Sequence, residues 1–439
     1  MATKSWNVRI GLVLGLSFLL ALCIRGLSSS FMGGNNFWIY RLLENLSAYQ
    51  LFLFPGGVLL LYLRKVHYFE NSGNVNARLH KCLQIIFVGI KDLLPTQEGS
   101  KSSSPSSKTP VSQKSKIITL LYCVVGLQVS YLTWGYLQER IMTRDYYDST
   151  GKMKRFSDSQ FLVFVNRILG FSLAILYLAF HSRGNPSGAP VYKYSYCSFT
   201  NIMSSWCQYE ALKFVSFPTQ VLSKACKVIP VMIMGRIVSN KKYEYYEYVV
   251  ACMLSFGMIL FLFGTPSNGK ETSANTTVSG AILLIAYMAF DAFTSNWQGE
   301  LFTSYKMNSI EMMGGVNFFS CLLTSTSLLS QGAFYDSLVF MSQFPSFAFD
   351  CVVLSVCSAT GQLFIYHTIS QFGPLIFAII MTLRQSLAIL ISCFVFKHPL
   401  NSLGIVGILI VFSAIFVKIY CGHRLRQLKK QAATIQRTT

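Results

Sequence analysis

The chain has 439 residues, of which 52% are hydrophobic and only 12% are charged, whereas about a quarter of the residues in soluble globular proteins are charged. The formal net charge of +20 would suggest nucleic-acid binding in a soluble protein. No basic stretch outside the apolar runs contains base-stacking aromatic residues, and the twelve cysteines lack C-x-x-C and zinc spacing. Composition therefore predicts an all-α polytopic membrane protein and argues against nucleic acid, a metal site and a disulfide framework.

The first 63 residues contain two apolar runs. The first, 8–24, is closed by Arg25, a pattern typical of both a cleaved signal peptide and a retained signal anchor. The second, 46–63, contains Pro55 followed by two glycines, which predicts a kinked helix. We expect residues 1–63 to form a signal anchor and extra spans outside the main bundle.

Polar, basic segments flank the rest of the apolar sequence. Residues 64–115 are expected to form a cytosolic, basic and disordered linker, and the low-complexity stretch GSKSSSPSSKTPVSQKSK is its clearest part. The stretch from Arg64 to Lys116 has nine Lys/Arg and three acids, so the positive-inside rule assigns it to the cytosol. The tail, 421–439, has five Lys/Arg and no acid, which assigns it to the same side.

Ten apolar runs, each long enough to span a bilayer, fill the segment 116–420. An even number returns the tail to the side of the linker and puts the sequon at Asn275 on the opposite, lumenal side. The runs are Ile117–Leu137, Ser159–Phe180, Tyr194–Leu212, Phe217–Val238, Tyr245–Gly264, Val278–Trp297, Met312–Ser330, Phe347–Ile369, Leu375–Phe396 and Leu403–Tyr420.

The ten runs divide into two sets of five, which would enter the membrane in opposite orientations. Placing the ninth run on the fourth aligns Arg384 with Lys227. An inverted repeat of this kind is the architecture of many secondary transporters, whose binding site lies near the membrane midplane. We therefore predict a ten-helix transporter core built as a 5+5 inverted repeat.

Four basic residues fall at mid-membrane depth: Lys224, Lys227, Arg167 and Arg384. A basic side chain at that depth costs about 2.5–3.5 kcal/mol on insertion scales. Lys224 and Lys227 are three residues apart and would share one face of a helix. The runs contain two well-placed carboxylates, Glu210 and Asp291. Two positive charges would then lack an acid, which favours a site for an anion over ion pairs that only hold the helices together.

Polar and aromatic side chains in the same runs are candidates to recognise the rest of a ligand. Tyr131 and Trp134 have helical i, i+3 spacing and are candidates to stack on a nucleobase, although such residues also form the interfacial belt of membrane proteins. The full set of candidates is Gln128, Tyr131, Trp134, Gln208, Tyr209 and Asn296.

The sequence does not assemble a recognisable enzyme. A glycine-rich phosphate loop of the Walker type is absent, and His367 has no sequence neighbour suited to acid–base catalysis. An anion channel is the remaining alternative to a carrier, because pores lined by cations conduct anions.

Several long stretches resemble the nucleotide-sugar transporter family of the drug/metabolite transporter superfamily. They extend over about 116–420 and include GLQVSYLTWGYLQERIMTR, FSDSQFLVFVNR, SSWCQYEALKFVSFPTQVLSKACKVIPVMIMG, AFDAFTSNWQ, GVNFFSCL and IIMTLRQ. Within that family they are most similar to members that carry 3′-phosphoadenosine 5′-phosphosulfate (PAPS). The FYNN and GALNK motifs of GDP-mannose transporters do not occur.

The resemblance implies an antiporter in the Golgi apparatus membrane with no cofactor. It would move PAPS from the cytosol into the lumen in exchange for adenosine 3′,5′-bisphosphate. A carrier of UDP-galactose or UDP-glucose is the alternative that the same family allows. The lipid bilayer is the implied environment, and both a monomer and a homodimer remain open.

Overall fold

A computed structural model provides the structure of the chain. The Ser/Lys-rich stretch of the linker and the sequon at Asn275 lie outside the residues it describes. These are residues 2–32, 38–69, 77–89, 113–147, 153–156, 159–181, 189–211, 214–215, 223–224, 226–263, 278–330, 332–395 and 402–438.

Among the described residues, three helices precede the transporter core: α1 (Ala2–Met32), α2 (Trp38–Lys65) and α3 (Ala77–Phe87). Helix α2 runs through Pro55 as one helix. Helix α1 packs along α2, and the amide of Gln50 donates to the backbone carbonyl of Ala21 at 3.4 Å.

Helix α3 corrects the prediction of a linker without structure over 64–115. Its residues Leu83 and Phe87 are buried with Leu59 and Leu63 of α2 and with Tyr68. The helix is amphipathic, and burying its apolar face stabilises it against the ends of α1 and α2. The composition of the whole segment hid this short element, because the polar residues around it dominate the average.

In the described part of the core, nine long helices and two short ones follow. In chain order they are α4 (Gln113–Thr143), α5 (Ser159–His181), α6 (Tyr192–Ala211), α7 (Val228–Ser239), α8 (Tyr245–Phe263), α9 (Val278–Tyr305), α10 (Ser309–Ser330), α11 (Ala333–Gln343), α12 (Pro345–Phe372), α13 (Pro374–Val395) and α14 (Ser402–Thr438). The two short ones are α7 and α11.

The architecture confirms the prediction of an all-α polytopic membrane protein. Seven helices of the described chain are long and apolar enough to cross a membrane. Each of the ten predicted runs corresponds to a helix, with α11 as an additional short element. The 5+5 repeat stays a prediction.

A small hairpin joins α4 to α5, formed by β1 (Asp145–Tyr147) and β2 (Met153–Arg155) in antiparallel pairing. Tyr146 is buried among aromatic residues, and its hydroxyl donates to Asp350 of α12 at 3.1 Å. Burial, together with the adjacent Asp350 carboxylate, raises the pKa of Tyr146 well above its ordinary value, so the phenol remains a neutral donor. Arg144 forms an ion pair with the same carboxylate at 3.2 Å.

The chain divides into two compact units, and each combines segments from both halves of the core. The first unit comprises 1–199 and 301–367, and the second comprises 200–300 and 368–439. Arg167 therefore belongs to the first unit, whereas Lys224, Lys227 and Arg384 belong to the second. The two groups of site residues are described separately below.

Candidate functional site

The second unit contains the two lysines of the fourth predicted run, and the structure corrects the shape of that run. A regular helix was predicted over 217–238. Among the described residues of this run, Ser223 and Lys224 are helical, Cys226 and Lys227 form a turn, and α7 begins at Val228 with Lys227 as its N-cap residue. The amide of Lys227 reaches back to the carbonyl of Lys224 at 3.4 Å, as in a tight turn. Pro230 explains the turn, because it has no N–H to donate to the carbonyl of Cys226 and is tolerated only near a helix start.

Lys227 is buried and forms an ion pair with Asp291 of α9. Its ammonium nitrogen also lies over the ring of Phe377 of α13, 5.4 Å from the ring centroid. A cation on an aromatic face gains further electrostatic stabilisation. Three helices, α7, α9 and α13, thus define the surroundings of this one ammonium group.

Lys224 and Arg384 complete a group of charges that we call the cation cluster, consisting of Lys224, Lys227, Arg384 and Asp291. Lys224 is half-buried and lies close enough to the other three to interact with their charges. Tyr287, one helical turn before Asp291, interacts electrostatically with Asp291 and Arg384. Three positive charges thus share a partly buried region of the second unit with one negative charge, an arrangement suited to binding an anion.

Asn296 fixes α9 against α7. Its side chain is fully buried, and its amide nitrogen donates to the carbonyls of Val231 at 2.8 Å and Ala292 at 3.0 Å. The amide of Val231 in turn bonds to the carbonyl of Lys227. Asn296 therefore positions the helix that begins at Lys227, and the predicted contact of Asn296 with a ligand stays a prediction.

Two further candidates lie on α6 in the second unit. Gln208 is half-buried and Glu210 is buried on that helix. The side chain of Tyr209 lies outside the described residues. Their predicted roles remain predictions.

The first unit contains a hydrogen-bonded chain that starts at Arg167. Arg167 of α5 donates to the amide oxygen of Asn317 of α10 at 3.3 Å, and Asn317 donates to Gln362 of α12 at 2.9 Å. Gly170 leaves the space for this arrangement, because a Cβ there would lie 2.6 Å from the Asn317 nitrogen. Within the described residues, no carboxylate lies at ion-pair distance from Arg167. The hydrogen bond of Arg167 in the described part of the chain thus goes to a neutral amide, that of Asn317.

The aromatic candidates of α4 lie in this same unit. Tyr131 and Trp134 meet edge to face, with ring centroids 6.2 Å apart and planes inclined by 70°. Tyr366 interacts electrostatically with both Tyr131 and Arg167, which brings Tyr131 into the Arg167 network. The side-chain nitrogens of Gln128 and Trp134 are buried, and neither has a hydrogen-bond partner in the described part of the chain.

The sequence reasoning missed Asn317, Tyr287 and Phe377. For Asn317 a signal was present, because an asparagine inside the apolar run GGVNFF is costly unless it is hydrogen-bonded. Tyr287 and Phe377 carried no such signal, since both residue types are common in apolar runs and only the packing of α9 and α13 brings them to the cation cluster.

Comparison with known proteins agrees with this architecture. The model of the UAA transporter family matches residues 119–422. The Drosophila melanogaster protein named adenosine 3′-phospho 5′-phosphosulfate transporter 1 is 51% identical over 90% of this chain and 85% of its own length. The Homo sapiens protein of that name is 46% identical over 91% of both chains. The Arabidopsis thaliana UDP-galactose/UDP-glucose transporter 5 is 37% identical over 70% of this chain and 89% of its own.

Proposed function

The chain belongs to the UAA transporter family, and we propose that it is an antiporter for PAPS. In this proposal it moves PAPS from the cytosol into the Golgi lumen, where sulfation consumes it, and returns adenosine 3′,5′-bisphosphate. The observation that carries the proposal is the similarity to proteins named for PAPS transport. It extends over nine-tenths of the chain, beyond the 70% that the UDP-sugar carrier matches.

The charges of the site support the same substrate. PAPS carries about four negative charges near neutral pH, and a UDP-sugar carries about two. The cation cluster has an excess of two positive charges, from three basic residues and one carboxylate. Such an excess in a partly buried environment is costly unless an anion offsets it, and it matches PAPS better than a UDP-sugar.

The expected orientation follows from the distribution of basic residues. Five Lys/Arg and no acid follow Cys421, which favours a cytosolic tail and a cytosolic linker. PAPS is then taken up from the side on which the two basic segments lie. Labelling a tag after Thr439 in cells with a selectively permeabilised plasma membrane tests this orientation, and co-staining with Golgi markers tests the location.

Counterflow in proteoliposomes tests the substrate. Purified protein is reconstituted into vesicles preloaded with unlabelled PAPS, UDP-galactose or UDP-glucose, and the entry of labelled PAPS is followed. We expect PAPS inside the vesicles to stimulate entry, and the two UDP-sugars to have little effect. Stimulation by a UDP-sugar without stimulation by PAPS would contradict the proposal.

The UDP-sugar alternative has its own support in the 37% identity to a UDP-galactose/UDP-glucose transporter. The same vesicles loaded with labelled UDP-galactose measure this activity directly. An anion channel is separated from both carriers by its kinetics, because a channel conducts current without a counter-substrate and a carrier saturates.

Recognition of the base is expected to depend on Tyr131 and Trp134. Replacing either with alanine should weaken competition by adenosine 3′,5′-bisphosphate by about 1–3 kcal/mol, the value of one stacked base. Competition by inorganic pyrophosphate should change little, since that anion has no base. Tyr136→Ala is the matched control, because Tyr136 lies on the same helix with its side chain exposed. Equal losses for both competitors would mean that the two rings only support α4.

A further inference from the structure

We propose that Asn317 is a positioning residue for Arg167. Its neutral amide holds the guanidinium and leaves the positive charge of Arg167 to a phosphate or sulfate group of the substrate. The inference rests on the proposed function and on the predicted role of Arg167. It adds to them a residue of α10 that acts through the arginine and does not itself contact the anion. Three features of the first unit support it.

The first feature is the kind of partner that Arg167 has. Its guanidinium donates to the amide oxygen of Asn317 at 3.3 Å. Two further groups interact with its charge, the thiol of Cys321 and the phenol of Tyr366, and both are uncharged near neutral pH. An amide accepts the hydrogen bond without compensating the charge, whereas a carboxylate in its place would neutralise it. Arg167 is half-buried, and a positive charge in such surroundings favours an anion.

The second feature is the direction of the hydrogen-bonded chain. The amide nitrogen of Asn317 donates to the side-chain oxygen of Gln362 at 2.9 Å, and the nitrogen of Gln362 donates to the hydroxyl of Ser358 at 3.5 Å. The oxygen of Asn317 therefore faces Arg167. Turning the Asn317 amide over would place its N–H groups against those of the arginine and its oxygen against that of Gln362. The neighbours on α12 thus hold the acceptor of Asn317 toward the guanidinium.

The third feature is the packing around Asn317. The side chain of Asn317 is fully buried, and Gly170 of α5 lies directly against it. A Cβ at Gly170 would lie 2.6 Å from the Asn317 nitrogen and 3.8 Å from the side-chain oxygen of Gln362. An alanine at this position would therefore displace the amide. Such close packing keeps Asn317 in one conformation, so the guanidinium that it holds has a fixed direction.

Stability alone does not account for this arrangement. The three polar side chains link α5, α10 and α12, but well-packed apolar residues often stabilise a core at least as well as buried charged groups. A basic side chain within an apolar segment also costs free energy. An anion bound to Arg167 offsets this cost. The bond to Asn317 uses one of the five N–H groups of the guanidinium, and two parallel N–H groups suffice to bind an oxyanion.

The test compares Asn317→Asp with Asn317→Ala, because a structural role and a positioning role predict opposite orders. Aspartate keeps the size and the acceptor for Arg167, so this variant should unfold at a temperature no lower than that of Asn317→Ala. Its carboxylate, however, neutralises the arginine. We expect Asn317→Asp to bind adenosine 3′,5′-bisphosphate at least about tenfold more weakly than wild type, and Asn317→Ala about threefold more weakly. Thermal stabilisation of the purified protein by the bisphosphate measures this binding.

A second pair of variants moves Asn317 without changing a charge. Gly170→Ala should lower the uptake of labelled PAPS into proteoliposomes about tenfold, because the displaced amide no longer aims the guanidinium. Gly314→Ala is the matched control, since Gly314 is a buried glycine of α10 that faces α5. A Cβ there would lie 3.4 Å from the Cβ of Ala174, an ordinary contact distance, so this variant should transport normally.

Two results would overturn the inference: wild-type binding of the bisphosphate by Asn317→Asp, and a larger loss of binding in Asn317→Ala than in Asn317→Asp. If Asn317→Asp does not fold, Gly170→Ala decides, and normal uptake of PAPS by the folded protein would contradict the role of Asn317. Failure of wild type to exchange PAPS for the bisphosphate would instead refute the proposed function, and that failure is visible without any variant.

Discussion

Lys227→Ala and Arg384→Ala are each expected to lower PAPS uptake by about one to two orders of magnitude. A hydrogen bond to a charged group contributes about 1.5–3 kcal/mol. Each free-energy increment of about 1.4 kcal/mol changes a rate or an affinity tenfold. Lys227 lies at the start of α7 beside Asp291, and Arg384 belongs to the same cluster on α13. Both changes should leave the folded protein in its membrane.

Arg384→Lys should also lose much of the activity, although it keeps the charge. A guanidinium binds an oxyanion through two parallel hydrogen bonds, which a single ammonium does not reproduce. Arg236→Ala is the matched control, because Arg236 is an exposed basic residue in the last turn of α7. It should transport normally.

Two readouts decide the interpretation of these variants: uptake of labelled PAPS into proteoliposomes and the yield of monodisperse protein. Normal uptake by a well-folded Lys227→Ala protein would remove Lys227 from the site. Lys227→Ala also leaves Asp291 without its ion-pair partner. Part of the lost uptake would therefore come from repulsion between this carboxylate and the anionic substrate. Adding Asp291→Asn to Lys227→Ala removes this repulsion. The loss of uptake that remains then measures the contact of Lys227 with the substrate.

Uptake of PAPS into vesicles preloaded with adenosine 3′,5′-bisphosphate is expected to be at least about tenfold faster than uptake into empty vesicles. To change its orientation, the carrier closes around its site and removes water from the cation cluster. Dehydrating a charge without a partner costs several kcal/mol. The cation cluster contains three basic residues and one carboxylate, so we expect the empty carrier to cross more slowly than the loaded one.

The return cargo should be the bisphosphate because it keeps the base and two phosphate groups. Initial rates are measured with the membrane potential clamped, since the cargo that enters and the cargo that leaves differ in charge. AMP, which has only one phosphate, is the control cargo and should stimulate uptake less. Equal rates in empty and preloaded vesicles would show that the empty site reorients freely and would contradict the argument from charge.

Much of the fold could be predicted from the sequence because a bilayer imposes a strong constraint on it. The backbone of a spanning segment must satisfy its own hydrogen bonds, so an apolar run of about 20 residues is expected to be helical. Each run from Ile117 to Tyr420 accordingly corresponds to a helix. The break before Val228 escaped this reasoning, although Pro230 was visible, because the run remained apolar on both sides of it.

The basic residues of the site were also visible in the sequence, since a charge in an apolar run is rare and costly. Lys224, Lys227, Arg384 and Asp291 meet in the second unit as one group. The sequence did not indicate which acid would pair with which base. Asp291 and Glu210 were equivalent candidates, and only the packing of α7 against α9 brings Asp291 to Lys227.

Arg167 shows most clearly what the tertiary structure decided. Its depth in the membrane was predicted, but its partner Asn317 comes from α10, and Gln362, which accepts from Asn317, comes from α12, far along the chain. Apolar periodicity determines which segments enter the bilayer, because burial there depends on each segment's own composition. Which side chains then meet depends on how the helix surfaces fit together and on hydrogen bonds between helices distant in sequence. A local sequence pattern does not predict those contacts.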